Sequence, residues 1–293
     1  MSVQSYVDTR QSTGQWVLMK IDLSNAFNCI ERQTVLHEAQ ARCPSLFNFL
    51  RYSYQLHAPL FCGGQMIASQ TGVHQGCPLG PTGFALGIHS ILERLDASAT
   101  LEWQSWYLDD GILLGDAASV STAYHNIQTE MARIGLQVNP TKCEIWGPGA
   151  AFCTNLPGVT EVPWNPGHGI TVLGVPINYP GTDTQSTKAW TTATEKLHAT
   201  LERVTGLTDA QTAHHLLRKC LDGCRVNHLL RASDPYTCTE QVNTCDVAIL
   251  TAFEDIVSHG LDTNQKAQAS MPLATGGCAV SYTHLRAHET LMN

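Results

Sequence analysis

Apolar residues fall in short blocks, and their spacing changes along the chain. The run Trp16-Val17-Leu18-Met19-Lys20-Ile21-Asp22 predicts a buried strand closed by a carboxylate. Over 30–56, apolar and aromatic positions recur at Ile30, Val35, Leu36, Leu46, Phe49 and Leu50, a helical rhythm that Pro44 cuts in two. Residues 59–73 predict a β-hairpin turning at Gly63-Gly64. Beyond a Gly/Pro cluster at 76–83, Phe84, Ile88, Ile91, Leu92 and Leu95 keep helical spacing. Trp103 to Leu114 predicts a second hairpin with Asp109-Asp110-Gly111 at its tip, and 117–134 another helix. Single strands are expected at Glu144–Trp146 and near Ile170–Ile177. Residues 148–168 are rich in Pro and Gly and read as exposed loop, and from about 185 to 270 the pattern is mostly helical. The order predicts an α+β fold, an antiparallel sheet with helices on one face over 1–182, followed by a helical region over 183–279.

Composition narrows the class. The 293 residues are 43% hydrophobic and 14% charged, the mix of an ordinary globular protein. No apolar run nears the roughly 20 residues of a membrane span, and Met1-Ser2-Val3-Gln4-Ser5 shows no secretory signal. Seventeen basic residues against 25 acidic give a net charge of −8, which argues against holding nucleic acid by bulk charge alone. It leaves room for a nucleic-acid enzyme with a local basic groove. The 11 cysteines are odd in number and lack a repeated spacing, so they read as reduced, buried thiols of an intracellular protein, nuclear or cytoplasmic, neither secreted nor membrane-bound.

Three carboxylates stand out. Asp22 ends an apolar strand, and Asp109 and Asp110 sit between Trp106-Tyr107-Leu108 and Ile112-Leu113-Leu114. Charge beside such runs is costly unless a cation offsets it, and oxygens at adjacent strand ends suit Mg²⁺. Taken alone, the Asp-Asp-Gly tip reads first as an ordinary hairpin turn. His214, His215, Cys220, Cys224 and His228 also fall close together, but lack paired zinc-ligand spacing and read as helix packing.

The wider context resembles the reverse transcriptases. Lys20-Ile21-Asp22-Leu23-Ser24-Asn25-Ala26-Phe27-Asn28 resembles their motif A, and Gly72-Val73-His74-Gln75-Gly76-Cys77-Pro78-Leu79-Gly80-Pro81 their motif B. Tyr107-Leu108-Asp109-Asp110 resembles motif C, Gly135 to Cys143 motif D, and Leu173-Gly174 motif E. The order and gaps are right, and the wording is most similar to the non-LTR retrotransposon branch. The resemblance covers about 15–180. It extends more weakly to Leu216–Cys220, Arg225–Arg231 and Gln268–Gly277, which look like a thumb segment.

The resemblance implies a polymerase palm followed by a thumb-like region. Two Mg²⁺ ions would be held by Asp22, Asp109 and Asp110, and a dNTP would be joined to a primer 3′-end on an RNA template. Phe27 would exclude a 2′-hydroxyl, Gln75 and Gly76 would floor the nucleotide pocket, and Lys142 would protonate or neutralise the departing pyrophosphate. Leu173-Gly174 would support the primer. Arg203, Arg218, Lys219, Arg225 and Arg231 are candidates for a primer–template groove.

Departures from the pattern carry expectations of their own. Only about 20 residues precede Asp22, with Arg10 and Lys20 the sole cations, so fingers and endonuclease segments are expected to lie elsewhere in a larger polyprotein. Residues 280–293 resemble translated adaptor sequence and read as a non-native tail. Two further readings compete with an active reverse transcriptase. One is a catalytically inactive retroelement remnant or nucleic-acid-binding palm module. The other is an RNA polymerase of the same fold, against which Phe27 speaks.

Overall fold

The computed structural model describes residues 2–10, 14–98, 100–221, 226–232, 238–271 and 275–278. Cys224, Arg225 and the 280–293 segment lie outside them. In chain order the elements are α1 (Val3–Arg10), β1 (Trp16–Asp22), α2 (Ala26–Cys29), α3 (Arg32–Arg42), α4 (Pro44–Tyr54), β2 (Ala58–Cys62), β3 (Gln65–Ser69) and α5 (Gly80–Ser98). Then follow β4 (Trp103–Tyr107), β5 (Asp110–Asp116), α6 (Ala117–Ala132), β6 (Glu144–Trp146), β7 (Thr160–Glu161), β8 (Ile170–Val172) and β9 (Val175–Ile177). The last are α7 (Thr184–Thr205), α8 (Ala210–Leu216) with a π-helical turn over Leu217–Leu221, α9 (Asn227–Ala232), α10 (Thr239–Val257) and α11 (Thr263–Ser270).

The chain divides into two compact units, Arg10–Trp164 and Met1–Thr9 with Asn165 onward. The sequence pattern drew its boundary near 182. The structure draws it earlier because 170–177 is a hairpin that clusters with the helices.

The first unit is built on a five-stranded sheet of order β4-β5-β1-β6-β7, antiparallel except for the β6–β7 pair. Strand alternation gives the sheet two unlike faces. Val17, Met19, Ile21 and Leu113 point to one, where Val35 of α3, Phe84 and Ile88 of α5, and Val120 and Ile127 of α6 bury them in a single core. Helices therefore cover one face, as the pattern predicted. Trp16, Leu18, Lys20 and Asp22 point to the other. Its far end is dry: Trp16, Trp146 and Trp164 meet edge to face with centroids 4.6–6.4 Å apart. Trp164 and β7 fall inside the stretch read from sequence as exposed loop, so that reading is corrected: part of it adds an edge strand and a half-buried ring packed on Trp16 and Trp146.

Two helix boundaries follow from local chemistry. Pro44 takes the first turn of α4, where its missing N–H costs nothing, and so separates α3 from α4. Asp116 caps α6, its carboxylate accepting from the Ala118 and Ser119 amides, both at 3.0 Å.

The second unit packs α7 to α11 around Trp190, Leu197, Leu217, Cys245, Ile249 and Phe253. In the same unit, Gln4 of α1 pairs with the Asn178 backbone, accepting its N–H at 2.8 Å and donating to its carbonyl at 3.2 Å. Cys62 and Cys220 are exposed, so the expectation of buried thiols is corrected for these two. No helix among the described residues is long and apolar enough to cross a membrane.

Candidate active site

Register brings the carboxylates together. β1 and β5 pair so that Asp22 lies directly opposite Asp110, on the face that also carries Lys20. Opposed antiparallel residues hold their Cβ atoms about 4.5–5.5 Å apart. Lys20 in turn lies opposite Glu144 of β6 and donates to its carboxylate at 2.9 Å. Tyr107, opposite Asp110 on the β4 side, is 64% exposed.

The hairpin tip differs from the sequence expectation. Tyr107 pairs with Asp110, so the two turn residues are Leu108 and Asp109, while Asp110 and Gly111 already belong to β5. Leu108 sits at φ 58, a left-handed conformation that is uncommon for a branched side chain and costs about 1–2 kcal/mol. Gly111 has a packing role instead of a turning one. It lies opposite Trp106, and a Cβ there would come within 2.6–2.8 Å of the indole ring.

Electrostatics mark the cluster. Burial raises the Asp110 carboxyl above its ordinary range, the charges of Asp109 and Asp22 raise it further, and Lys20 and Lys142 partly oppose this. Oδ2 of Asp22 is shielded from solvent and accepts no hydrogen bond. The Lys142 ammonium is the nearest cation to that oxygen in an ion pair, at 3.8 Å, and its side chain is 67% exposed. Lys142 reaches this place because the segment before it is laced to the end of β1. Asn139 N–H donates to the Asp22 carbonyl at 2.8 Å, Ser24 N–H donates to the Gln137 carbonyl at 2.7 Å, and Leu23 bridges Val138.

An orphaned, shielded carboxylate oxygen beside two more carboxyl groups is a donor set that fits a hard divalent cation. Among the described residues, no three Asp, Glu, His or Cys side chains are already drawn together as a finished cage.

Phe27, Gln75 and Gly76 form a second group. The Phe27 ring is half-buried and stacks on Phe84 at 4.8 Å, while its carbonyl accepts the Val73 N–H at 2.7 Å. Gly72 donates to the Ile30 carbonyl at 2.8 Å, and a side chain there would strike the Phe27 backbone. Gln75 and Gly76 are exposed, and Gly76 at φ 87 has open space beside it. Its glycine is required by the left-handed backbone.

Sequence reasoning missed the residue that anchors this loop. Arg32 is 6% exposed; it donates to the Gly72 carbonyl at 2.8 Å, the Ser69 carbonyl at 2.6 Å and the Ser69 hydroxyl at 2.7 Å. Burial holds its guanidinium below the usual arginine range. It lies over the Tyr54 ring, whose hydroxyl accepts the His74 N–H at 3.2 Å. Burial, and secondarily the Cys77 thiol, push the Tyr54 phenol up to about 12. The available signal was a cation on an apolar stripe: Arg32, Val35, Leu36 and Ala39 share one helical face, and all are buried.

In the helical unit, Leu173 and Gly174 are not within a strand but form the two-residue turn of the β8–β9 hairpin, with φ of 49 and 79. Both central residues at positive φ match a type I′ turn. A side chain at Gly174 would press on the His228 imidazole. The turn borders a cleft of about 500 Å³ lined by Lys188, Lys196 and His228, among others. Arg203, Arg218, Lys219 and Arg231 do not line it.

Known proteins give this geometry a context. The structure resembles a telomerase from Candida albicans, in complex with a TWJ fragment of telomeric RNA, at 12% identity and a TM-score of 0.50, covering 89% of this chain and 43% of that one. An apo telomerase from Candida tropicalis is similar at 10% identity and a TM-score of 0.47, with 86% and 48% covered. The chain thus spans less than half the length of either. No curated protein matches it. The profile described as reverse transcriptase (RNA-dependent DNA polymerase) matches residues 2–177, well over half of the sequence. That match takes in β1, the β4–β5 hairpin and the Lys142 segment, and the chain belongs to the reverse transcriptase family.

Proposed function

We propose that this chain is the palm and thumb of a non-LTR retroelement reverse transcriptase, which copies RNA by adding deoxynucleotides to a primer 3′-end. The observation that carries the reading is the acidic end of the sheet: Asp22 opposite Asp110, Asp109 in the adjoining turn, and an Asp22 oxygen with no hydrogen-bond donor. Asp22 and Asp109 would ligate Mg²⁺ directly, and Asp110 would complete the acidic site. When bound, the two ions supply charge neutralisation at the triphosphate and a more acidic primer hydroxyl.

The chain's own residues do the rest. Lys142, exposed and tethered through Asn139 to the Asp22 backbone, neutralises or protonates the departing pyrophosphate. The Phe27 ring, held flat on Phe84, excludes a 2′-hydroxyl by clash and so selects deoxynucleotides. Gln75 and Gly76 present exposed backbone to the nucleotide, on a loop fixed from behind by Arg32. In the helical unit, Lys188 and Lys196 give the cleft beside Leu173-Gly174 a cationic lining suited to a primer backbone.

The test is primer extension on poly(rA)/oligo(dT) with Mg²⁺ and dTTP, comparing the chain with Asp109→Asn. Extension by the first and a loss of at least roughly 10²–10³-fold in the second is expected. Equal extension by both contradicts the assignment of the turn carboxylate. Primer–template binding without extension by either identifies a nucleic-acid-binding module instead. Incorporation of rNTP in preference to dNTP identifies an RNA polymerase and removes the role given to Phe27.

A further inference from the structure

Helix α7 carries opposite charge on its two sides. Toward the β8–β9 hairpin it lines the cleft with Lys188 and Lys196, and among the described residues no Asp or Glu joins that lining. Along its seam with α10 lies a separate open groove of about 800 Å³, with Leu201, Val247, Ala248 and Ala252 in its lining. Val247 is 63% exposed, an apolar side chain left facing solvent. Among the described residues, the Asp, Glu, Lys and Arg side chains around this groove are Glu202, Glu240 and Asp255, with no Lys or Arg. A neighbouring cavity of about 550 Å³ shares Glu202 and adds Glu195.

We infer that the α7–α10 groove is a docking site for a basic amphipathic helix of a protein partner. An apolar strip flanked by carboxylates matches a helix with leucine-type anchors at i, i+3, i+4 and i+7 and lysine or arginine beside them. Charge decides between occupants. Phosphates of a nucleic acid would meet three carboxylates and, among the described residues, no Lys or Arg. A second copy seated groove to groove would set carboxylate against carboxylate, in a chain whose net charge is already −8. The inference rests on the groove alone and is independent of polymerase activity.

The test is fluorescence anisotropy of the full chain with a labelled helical peptide of about 16 residues, leucine at those spacings and lysine elsewhere. A scrambled peptide of the same composition, a glutamate-for-lysine peptide and oligo(dT) serve as comparisons. The lysine peptide should bind tightest, and the combined Glu202→Lys, Glu240→Lys, Asp255→Lys variant should weaken it by roughly tenfold, as three exposed charge pairs allow. Val247→Gln should weaken it without altering the circular dichroism spectrum. Equal binding of the scrambled peptide, no effect of the charge reversals, or no binding at all overturns the inference. Displacement by oligo(dT) assigns the groove to nucleic acid. Concentration-dependent dimerisation abolished by Val247→Gln assigns it to a second copy. Both results also overturn it.

Discussion

The two faces of the five-stranded sheet share one backbone and answer to opposite demands. On one, Val17, Met19, Ile21 and Leu113 are almost wholly buried under α3, α5 and α6. On the other, Lys20, Asp22, Asp110 and Glu144 stand side by side, beside buried Ile112 and the dry tryptophan end. Successive residues of β1 alternate between the two faces, so Ile21 is buried under the helices while Asp22 joins the carboxylate cluster. The lesson is that a strand can place a destabilising cluster beside a strong core without weakening that core, because the two never share a face.

Substitutions that break this division should differ in kind. The largest effect is expected from Asp22→Asn, which removes a carboxylate proposed to bind Mg²⁺: extension should fall at least roughly 10²–10³-fold while the urea midpoint does not drop. A matching loss of stability would show that Asp22 serves the fold. Leu113→Ala, on the helix-backed face, should cost about 2–5 kcal/mol in urea denaturation. A cost under 1 kcal/mol would mean that the helix-backed face is loosely packed.

Arg32→Met sharpens the comparison from behind the motif-B loop. It removes the donors that Arg32 gives the Ser69 and Gly72 carbonyls and should cost about 1–3 kcal/mol, with faster hydrogen exchange at Gly72 and Val73 and no change at Leu113. Uniform exchange across the unit would make Arg32 a general core residue. Asp116→Ala, which removes the α6 cap, should cost about 1 kcal/mol. The Ser119 hydroxyl and amide hold that carboxyl below its ordinary range. Its stabilisation is therefore present above the unfolded-state value near 3.8 and lost as pH falls through the lowered one. A Tm difference between the two proteins that persists unchanged at the lowest pH would contradict this.

The smallest effect has the opposite sign. Asp110 is held above its ordinary range by burial and by Asp109 and Asp22. Between the unfolded-state value near 3.8 and the raised folded one, the folded chain binds the extra proton, so stability falls as pH rises. Asp110→Asn should thus raise Tm at pH 7 by a few degrees at most, and the gain should vanish below pH 3.8. A lower Tm at pH 7 would show that Asp110 is already compensated.

Much of this was legible in the sequence. The apolar run 16–22, the Gly63-Gly64 turn and the break at Pro44 each rest on local chemistry, and each element formed where its residues call for it. The misplaced features depend on distant partners. Gly111 signalled a turn, but what it accommodates is Trp106 across the strand pair. The run Ile170–Ile177 looked like one strand because Leu173 hides a turn that only its positive φ reveals. Arg32 finds its acceptors 37 and 40 residues away, and Trp16, Trp146 and Trp164 meet only after the sheet has formed. The acidic site itself needed register, since Asp22 and Asp110 are opposed only once β1 pairs with β5.

The most direct test of the central claim, that the open face is a cation site, is Mn²⁺ binding followed by electron paramagnetic resonance. The chain, Asp22→Asn and Met19→Val would be titrated in parallel. The account predicts bound Mn²⁺ in the chain and in Met19→Val, and its loss in Asp22→Asn. Equal binding by all three, or none by the chain, would contradict it.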